Sequence, residues 1–89
     1  VYSDSDAGSL HVETADEAVH LPGDTLAQTY LNADAIIEAA RSSGAQAIHP
    51  GFGFLSERAD FAQAVQSAGL LWIGPPSGAI ETMGDKISA

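Results

Sequence analysis

An apolar run that stops at a proline and then passes two glycines constrains this chain more than any other stretch. It occupies residues 47–58. Pro50 supplies no N–H and pushes His49 into an extended conformation, so a strand that enters here must end. Gly51 and Gly53 can adopt positive φ and leave their backbone N–H groups uncovered. The pattern therefore predicts a strand, a ligand-facing loop and a helix.

Two amphipathic helices flank this loop. The first is predicted between a cap at Asn32 and a stop at Gly44, with Arg41 in its last turn. The second is predicted between a cap at Ser56 and a stop at Gly69. Each helix has one apolar face, formed by Ala33, Ile36, Ile37 and Ala40 in the first and by Phe61, Ala62, Val65 and Ala68 in the second. We therefore expect each helix to bury one side.

Shorter elements alternate with these helices. Strands are predicted at residues 1–3, 17–21, 45–49 and 70–73, and short helices at residues 9–14 and 79–83. In the helix at 9–14, Leu10 and Val12 are available for packing. The wholly apolar strand at 70–73 is typical of a central strand of a parallel sheet, covered on both faces. This alternation predicts an α/β, doubly wound parallel sheet, in which ligands bind beyond the carboxyl ends of the strands.

Length and charge limit the classes of protein to consider. The 89 residues form at most one small domain, so we expect part of something larger. Twelve acidic residues against three basic ones give a formal net charge of −9, which repels phosphate backbones and anionic lipid surfaces. No apolar run approaches the roughly 20 residues that span a bilayer. The sequence thus predicts neither nucleic acid nor a membrane as a partner, and the absence of cysteine excludes a thiolate nucleophile or metal ligand.

The histidines and the first two aspartates do not form a metal site in our interpretation. His11, His20 and His49 share no metal-ligand spacing. Asp4 and Asp6 lack further oxygen ligands at calcium-loop spacing, so they are interpreted as turn residues.

The glycine loop has two interpretations from its residues alone. It differs from the dinucleotide fingerprint because Ser56 stands in place of the third glycine, and no acidic residue ends the next strand. Nicotinamide binding is therefore disfavoured. One interpretation is a tight turn that tucks Phe52, Phe54 and Leu55 against the core. The other is a loop that faces a ligand.

Lys86 is the only lysine of the chain. It follows Gly84 and Asp85 at the predicted opening of a helix, where a phosphate would find backbone N–H groups and a positive dipole end. An ordinary solvent-facing lysine is the alternative.

Three blocks resemble biotin carboxylase in order and spacing. They are His49-Pro50-Gly51-Phe52-Gly53-Phe54-Leu55-Ser56-Glu57, Ile73-Gly74-Pro75 and Met83-Gly84-Asp85-Lys86. Further similar segments are Tyr2-Ser3-Asp4 with Asp6 and His11, Ala15-Asp16-Glu17-Ala18, and Tyr30-Leu31-Asn32. The resemblance covers essentially the whole chain. The family more often has tyrosine where this sequence has Phe52.

The resemblance implies that residues 1–89 are a single partial domain of an ATP-dependent ligase. This would be the larger part of the N-terminal, Rossmann-like (pre-ATP-grasp) domain of a biotin carboxylase of the ATP-grasp superfamily, without its first strand and helix. Such enzymes use MgATP to activate bicarbonate as carboxyphosphate, whose carbon dioxide carboxylates biotin on a carrier domain. The lid, the C-terminal domain, the catalytic residues and the magnesium ligands are expected outside this chain, so the 89 residues alone should be inactive.

The same resemblance implies site residues and partners. Lys86 would contact ATP, and Gly51, Phe52 and Gly53 would form a loop that borders the active-site cleft. The partners would be a biotin carboxyl carrier domain and a carboxyltransferase of an acyl-CoA or pyruvate carboxylase, with a homo-oligomeric full-length enzyme in the cytoplasm or, less favoured, the mitochondrial matrix. The acyl acceptor is not readable from this chain. Two alternatives stay open: another ATP-grasp ligase such as a carbamoyl phosphate synthetase, and a non-catalytic α/β interaction module.

Overall fold

The structure is a computed structural model that describes residues 1–76 and 78–80. The helices are α1 (Leu10–Thr14), α2 (Ala33–Ser43) and α3 (Ala59–Ser67), and the strands are β1 (Ala47–Ile48) and β2 (Leu71–Trp72). Single 3₁₀ turns are formed by Asp4–Asp6, Leu26–Gln28 and Phe54–Glu57. The chain divides into two compact units, Val1–Gly44 and Ala45–Ala89. No helix within the described ranges has the length and apolar character to cross a membrane.

A single parallel bridge joins two segments of the first unit. Tyr2 pairs with His20: the N–H of Tyr2 donates to the carbonyl of Val19 at 3.0 Å, and the N–H of Leu21 donates to the carbonyl of Tyr2 at 2.8 Å. Leu21 is buried beside this bridge. The prediction of a strand over residues 17–21 is therefore wrong beyond the bridge, because the chain turns at Asp4 and the described residues show no further pairing there.

Helix α1 is short and packs through Val12. Leu10 is 77% exposed, so the prediction that Leu10 packs is wrong, whereas Val12 is half-buried. Residues two positions apart do not share a helical face, so this short helix cannot bury both.

Helix α2 has the ends that the sequence predicts. The side-chain oxygen of Asn32 accepts the N–H of Ala35 at 3.1 Å, and Gly44 adopts a left-handed conformation at φ 78°. Arg41 lies in the last turn. Ala39 is the buried residue of this helix, and the residues of the predicted apolar face are half-buried: Ala33, Ile36, Ile37 and Ala40.

The second unit is a parallel pair of strands covered by α3. Ala47 pairs with Leu71 and Ile48 pairs with Trp72. The N–H of Ile73 donates to the carbonyl of Ile48 at 3.0 Å. The core of this unit consists of Leu55, Phe61, Ala62, Val65 and Ile80, all of which are buried.

One face of β2 is uncovered. Leu71 is 69% exposed and Ile73 is 51% exposed, so the prediction of a strand covered on both faces is wrong for the described residues. Side chains alternate along a strand, and Trp72 points to the face where Phe61 of α3 packs, with ring centroids 5.6 Å apart at an interplanar angle of 83°. Leu71 and Ile73 consequently project from the opposite face.

The predicted helix at residues 79–83 is described only in its first part. Residues 78–80 are helical, and the N–H groups of Ala79 and Ile80 donate to the carbonyl of Pro76 at 2.9 and 3.1 Å. The remainder of this prediction lies outside the described residues.

Candidate functional site

The candidate site is formed by the two loops that follow the parallel strands. Strand β1 ends at Ile48 and is followed by the glycine loop, which we define as residues 49–53; β2 ends at Trp72 and is followed by a second loop over residues 73–76. Because the strands are parallel, their carboxyl ends lie at the same edge of the sheet. The two loops therefore leave the sheet at the edge where α/β sheets bind ligands.

The glycine loop has a backbone that only particular residues can adopt. Gly51 has φ 67° and Gly53 has φ 73° with ψ −166°, which lies in a region that is essentially restricted to glycine. A Cβ built on either glycine meets nothing within 4 Å. The requirement for glycine is therefore conformational rather than one of space, and the predicted positive φ values are confirmed.

Phe54 continues this unusual backbone. Its φ is 49°, although it is not a glycine. Positive φ in a bulky residue costs free energy, and such strain clusters at active sites and ligand clamps. The strained position directly follows Gly53, so the strain lies beside the glycine loop.

The aromatic rings of the loop face solvent. Phe52 is 96% exposed and Phe54 is 55% exposed, whereas Leu55 is 6% exposed. The interpretation in which all three tuck against the core is therefore wrong for both phenylalanines. Leu55 is the buried residue of this segment, and Phe52 lies outward between the two glycines.

His49 connects the end of β1 to the glycine loop. The backbone N–H of Gly51 donates to Nδ1 of His49 at 3.0 Å across Pro50. The imidazole is itself exposed. The sequence places His49 at the end of a predicted strand and carries no signal for this bond, because the bond depends on the rotamer of the side chain.

Ser56 does not cap α3. It lies inside the 3₁₀ turn Phe54–Glu57, where its N–H donates to the carbonyl of Gly53 at 2.9 Å, and α3 begins only at Ala59. The prediction of a Ser56 cap is wrong because the loop conformation at Gly53 leads into this extra turn before the helix.

The side chain of Asp60, rather than that of Ser56, accepts a backbone N–H at the beginning of α3. Its Oδ1 accepts the N–H of Phe61 at 3.0 Å, and its carboxylate accepts two bonds from the Arg58 guanidinium at 2.9 and 3.2 Å. The hydrogen bond from Arg58 is the main reason that the pKa of Asp60 lies below its usual value. Both side chains are exposed, so this pair is expected to add little to stability.

The second loop is held by the indole of Trp72. Nε1 donates to the carbonyl of Pro75 at 2.7 Å. A Cβ on Gly74 would lie 3.0 Å from Nε1 and 3.1 Å from Cε2 of that ring. The loop thus depends on a glycine at position 74 for space, unlike the glycine loop.

The remaining predicted residues do not join this site in the described ranges. Lys86 lies outside the described residues. His20 pairs with Asp4, and Nε2 of His11 lies 3.0 Å from the carbonyl oxygen of Val1, both in the first unit. Over residues 1–76 and 78–80, no group of three or more histidines and carboxylates is placed to hold a metal.

Comparison with known proteins decides the family. The model for the N-terminal domain of biotin carboxylase matches residues 1–80. The chain belongs to this family. As a biotin carboxylase N-terminal domain, it is 60% identical to the mitochondrial methylcrotonoyl-CoA carboxylase subunit alpha of Oryza sativa subsp. japonica over 86 residues, which are 97% of this chain and 12% of that protein. The resemblance stated from the sequence is confirmed.

Solved structures agree with this assignment. The biotin carboxylase domain of a single-chain bacterial carboxylase superimposes with a TM-score of 0.89 at 49% identity, over 96% of this chain and 20% of that one. The biotin carboxylase domain of a thermophilic 2-oxoglutarate carboxylase, bound to ADP without magnesium, gives a TM-score of 0.88 at 44% identity, over 97% of this chain and 19% of that one. The biotin carboxylase N-terminal domain described here spans 12% to 15% of the length of the first curated relatives that it matches.

Proposed function

We propose that this chain is part of a biotin carboxylase that uses MgATP and bicarbonate to carboxylate biotin on a carrier domain. Family membership over residues 1–80 and relatives that are biotin-dependent carboxylases support the reaction class. The observation within the chain that carries the proposal is the exposed glycine loop at the carboxyl edge of the parallel strands. A buried, tightly packed loop there would instead have favoured a purely structural segment.

The glycine loop would form one wall of the active-site cleft through Gly51, Phe52 and Gly53. Two features support this role. Phe52 is almost fully exposed, and the strained backbone of Phe54 directly follows the loop. Phe52 keeps the ring of the family's more frequent tyrosine and lacks its hydroxyl. Any contact from this position is therefore made by the ring.

Lys86 would contact the phosphates of ATP. Its support is the block Met83-Gly84-Asp85-Lys86, which resembles that of biotin carboxylases; Lys86 itself lies outside the described residues. A lysine is a compact point charge that suits a phosphate. Magnesium would be held by residues beyond these 89, as the resemblance to biotin carboxylases implies.

The domain organisation follows from the same proposal. Residues 1–89 would be the larger part of a Rossmann-like, doubly wound pre-ATP-grasp domain whose first strand and helix are supplied elsewhere. The exposed face of β2, with Leu71 and Ile73, supports a sheet that is completed by further elements. We expect the isolated 89 residues to be inactive and to show no cooperative melt by circular dichroism. A sharp two-state transition of a monomer would contradict this part of the proposal.

The partners would be a biotin carboxyl carrier domain and a carboxyltransferase of an acyl-CoA or pyruvate carboxylase, and the full-length enzyme would be a homo-oligomer. The names of the relatives, an alpha chain and a subunit alpha of carboxylases, support partner subunits of this kind. We place the enzyme in the cytoplasm, with the mitochondrial matrix as the second choice because the rice relative is mitochondrial.

A carboxylation assay of the intact enzyme tests the proposal. The enzyme is incubated with ATP, magnesium, biotin and labelled bicarbonate, and label on biotin is measured together with ADP. We expect labelled biotin only when all four components are present. Carbamoyl phosphate formed from bicarbonate and ammonia would favour another ATP-grasp ligase, and the absence of any ATP turnover would favour an interaction module.

A further inference from the structure

His49 accepts a hydrogen bond in a way that fixes the state of its ring. Its Nδ1 lies 3.0 Å from the backbone nitrogen of Gly51, and a backbone N–H can only donate. Nδ1 therefore carries no proton. In the neutral imidazole the proton is then on Nε2. The ring acts here as the acceptor of a short turn that closes over Pro50.

This bond is the main connection between the sheet and the apex of the glycine loop. The last ladder bond of β1 is accepted by Ile48, and the next bond downstream is accepted by Gly53, from Ser56. Pro50 has no N–H to donate. Among the described residues, the bond from Gly51 to His49 is the one hydrogen bond made by the backbone over residues 50–52.

The geometry of the loop needs such a tie. Gly51 and Gly53 can each reach many conformations, and no neighbouring atom within 4 Å of their Cβ positions restricts them. Without the bond to His49, no backbone hydrogen bond would hold residues 50–52, and Phe52 would be tied only through Gly53, whose carbonyl accepts the N–H of Ser56. Because Phe52 is 96% exposed, no packing would replace the lost bond.

We propose that His49 is a positioning residue, whose Nδ1 holds the glycine loop in the conformation that carboxylation of biotin requires. The role rests on the proposed function, because it matters for catalysis only if the loop borders the cleft. The side chain is exposed and the bond spans two residues, so its loss should disturb the loop and leave the fold intact. Substitution of a residue that served the fold alone would instead lower the melting temperature and would reduce activity only in parallel.

Two substitutions separate the bond from the rest of the side chain. In the intact enzyme, His49→Leu keeps bulk but offers no acceptor. His49→Asn restores one, because the oxygen of an asparagine side chain accepts the N–H two residues later in an Asx turn. We expect His49→Leu to lower kcat/KM of biotin carboxylation about 5-fold, the effect of one net hydrogen bond, at an unchanged melting temperature. His49→Asn should return kcat/KM to within about 2-fold of the unaltered enzyme.

Nuclear magnetic resonance of the intact enzyme labelled with ¹⁵N at histidine tests the bond without reference to activity. The signal of His49 is assigned by its loss in His49→Asn. An unprotonated Nδ1 with a protonated Nε2 supports the proposal, and a protonated Nδ1 in the active enzyme overturns it.

The kinetic measurements can also overturn the proposal. Full activity of His49→Leu, or equal loss in His49→Leu and His49→Asn, would overturn the positioning role even if the unaltered enzyme carboxylates biotin. A fall in activity that only follows the melting temperature would also overturn it. If the unaltered enzyme does not carboxylate biotin, the proposed function fails and the role of His49 in that reaction fails with it, whereas the resonance measurement still reports the bond.

Discussion

The hydroxyl of Tyr30 donates a hydrogen bond to Oδ2 of Asp6 at 2.5 Å and accepts one from the backbone N–H of Ser3 at 3.0 Å. The two residues are 24 positions apart, so the bond fixes the first turn of the chain against the segment that precedes α2. The hydrogen bond from Tyr30 is the first cause of a lowered pKa of Asp6. This network belongs to the first unit and explains how the segments around Asp6 and Tyr30 depend on each other.

Tyr30→Phe should raise the pKa of Asp6 toward its usual value. A carboxylate whose pKa is lowered by folding adds stability above its unfolded pKa of about 3.9, and this contribution is lost as pH falls through the folded pKa. The variant should therefore be less stable than the unaltered protein at neutral pH, with a difference that shrinks in acid. Titration of the Asp6 carboxyl by nuclear magnetic resonance measures the pKa directly.

The matched control for this prediction is Tyr2→Phe. Tyr2 lies in the same unit, and its ring packs against His20 with centroids 5.4 Å apart. Removing its hydroxyl should leave the titration of Asp6 unchanged. Identical Asp6 titrations in Tyr30→Phe and the unaltered protein would show that the bond does not lower this pKa.

Gly74→Ala should destabilise the second loop through a steric contact. The added Cβ would lie 3.0 Å from Nε1 of Trp72, which donates to Pro75. The expected result is a lower free energy of unfolding, measured by chemical denaturation of the intact protein. Gly8→Ala is the control, because a Cβ there meets nothing within 4 Å. Equal losses in the two variants would contradict the steric explanation.

The sequence predicts well where local chemistry decides the structure. The cap at Asn32, the left-handed Gly44, and the positive φ of Gly51 and Gly53 each follow from one residue type at one position. The buried face of α3 likewise follows from helical spacing, with Phe61 inside. Such features depend on few neighbours, so tertiary packing does not override them.

The sequence does not predict features that depend on which other segment of the chain pairs with or covers an element. The strand expected at residues 17–21 is reduced to one bridge because, within residues 1–76 and 78–80, Tyr2 is the residue that pairs with it. Leu71 is exposed because no element among the described residues covers that face of β2. The apolar sequence of a strand does not show whether both of its faces are covered. The bond from Gly51 to His49 required knowledge of a side-chain rotamer.

Lys86→Gln should weaken the binding of ATP to the intact enzyme. The substitution keeps much of the side chain's length and removes its charge. A charge-assisted hydrogen bond is typically worth about 1.5–3 kcal/mol, so affinity should fall about 10-fold to 100-fold at constant melting temperature. The measurement is the ATP dependence of bicarbonate-stimulated ATPase activity.

Lys86→Arg serves as the companion variant because it keeps the charge but changes its geometry. It should also raise the ATP requirement. If Lys86→Gln leaves ATP affinity and carboxylation rate unchanged, Lys86 is an ordinary surface residue.

The claim that the glycine loop serves the active-site cleft is tested most directly by Gly53→Val in the intact enzyme. Gly53 occupies a glycine-only conformation with open space around its Cβ, so valine forces the exposed loop into another path without a clash in the core. The measurement is kcat/KM of biotin carboxylation beside the melting temperature, with Gly8→Val as the control. We predict a loss of kcat/KM of about 10-fold or more with a melting temperature within about 2 °C of the unaltered enzyme. A loss of activity that merely parallels a loss of stability, or full activity of Gly53→Val, would contradict the claim.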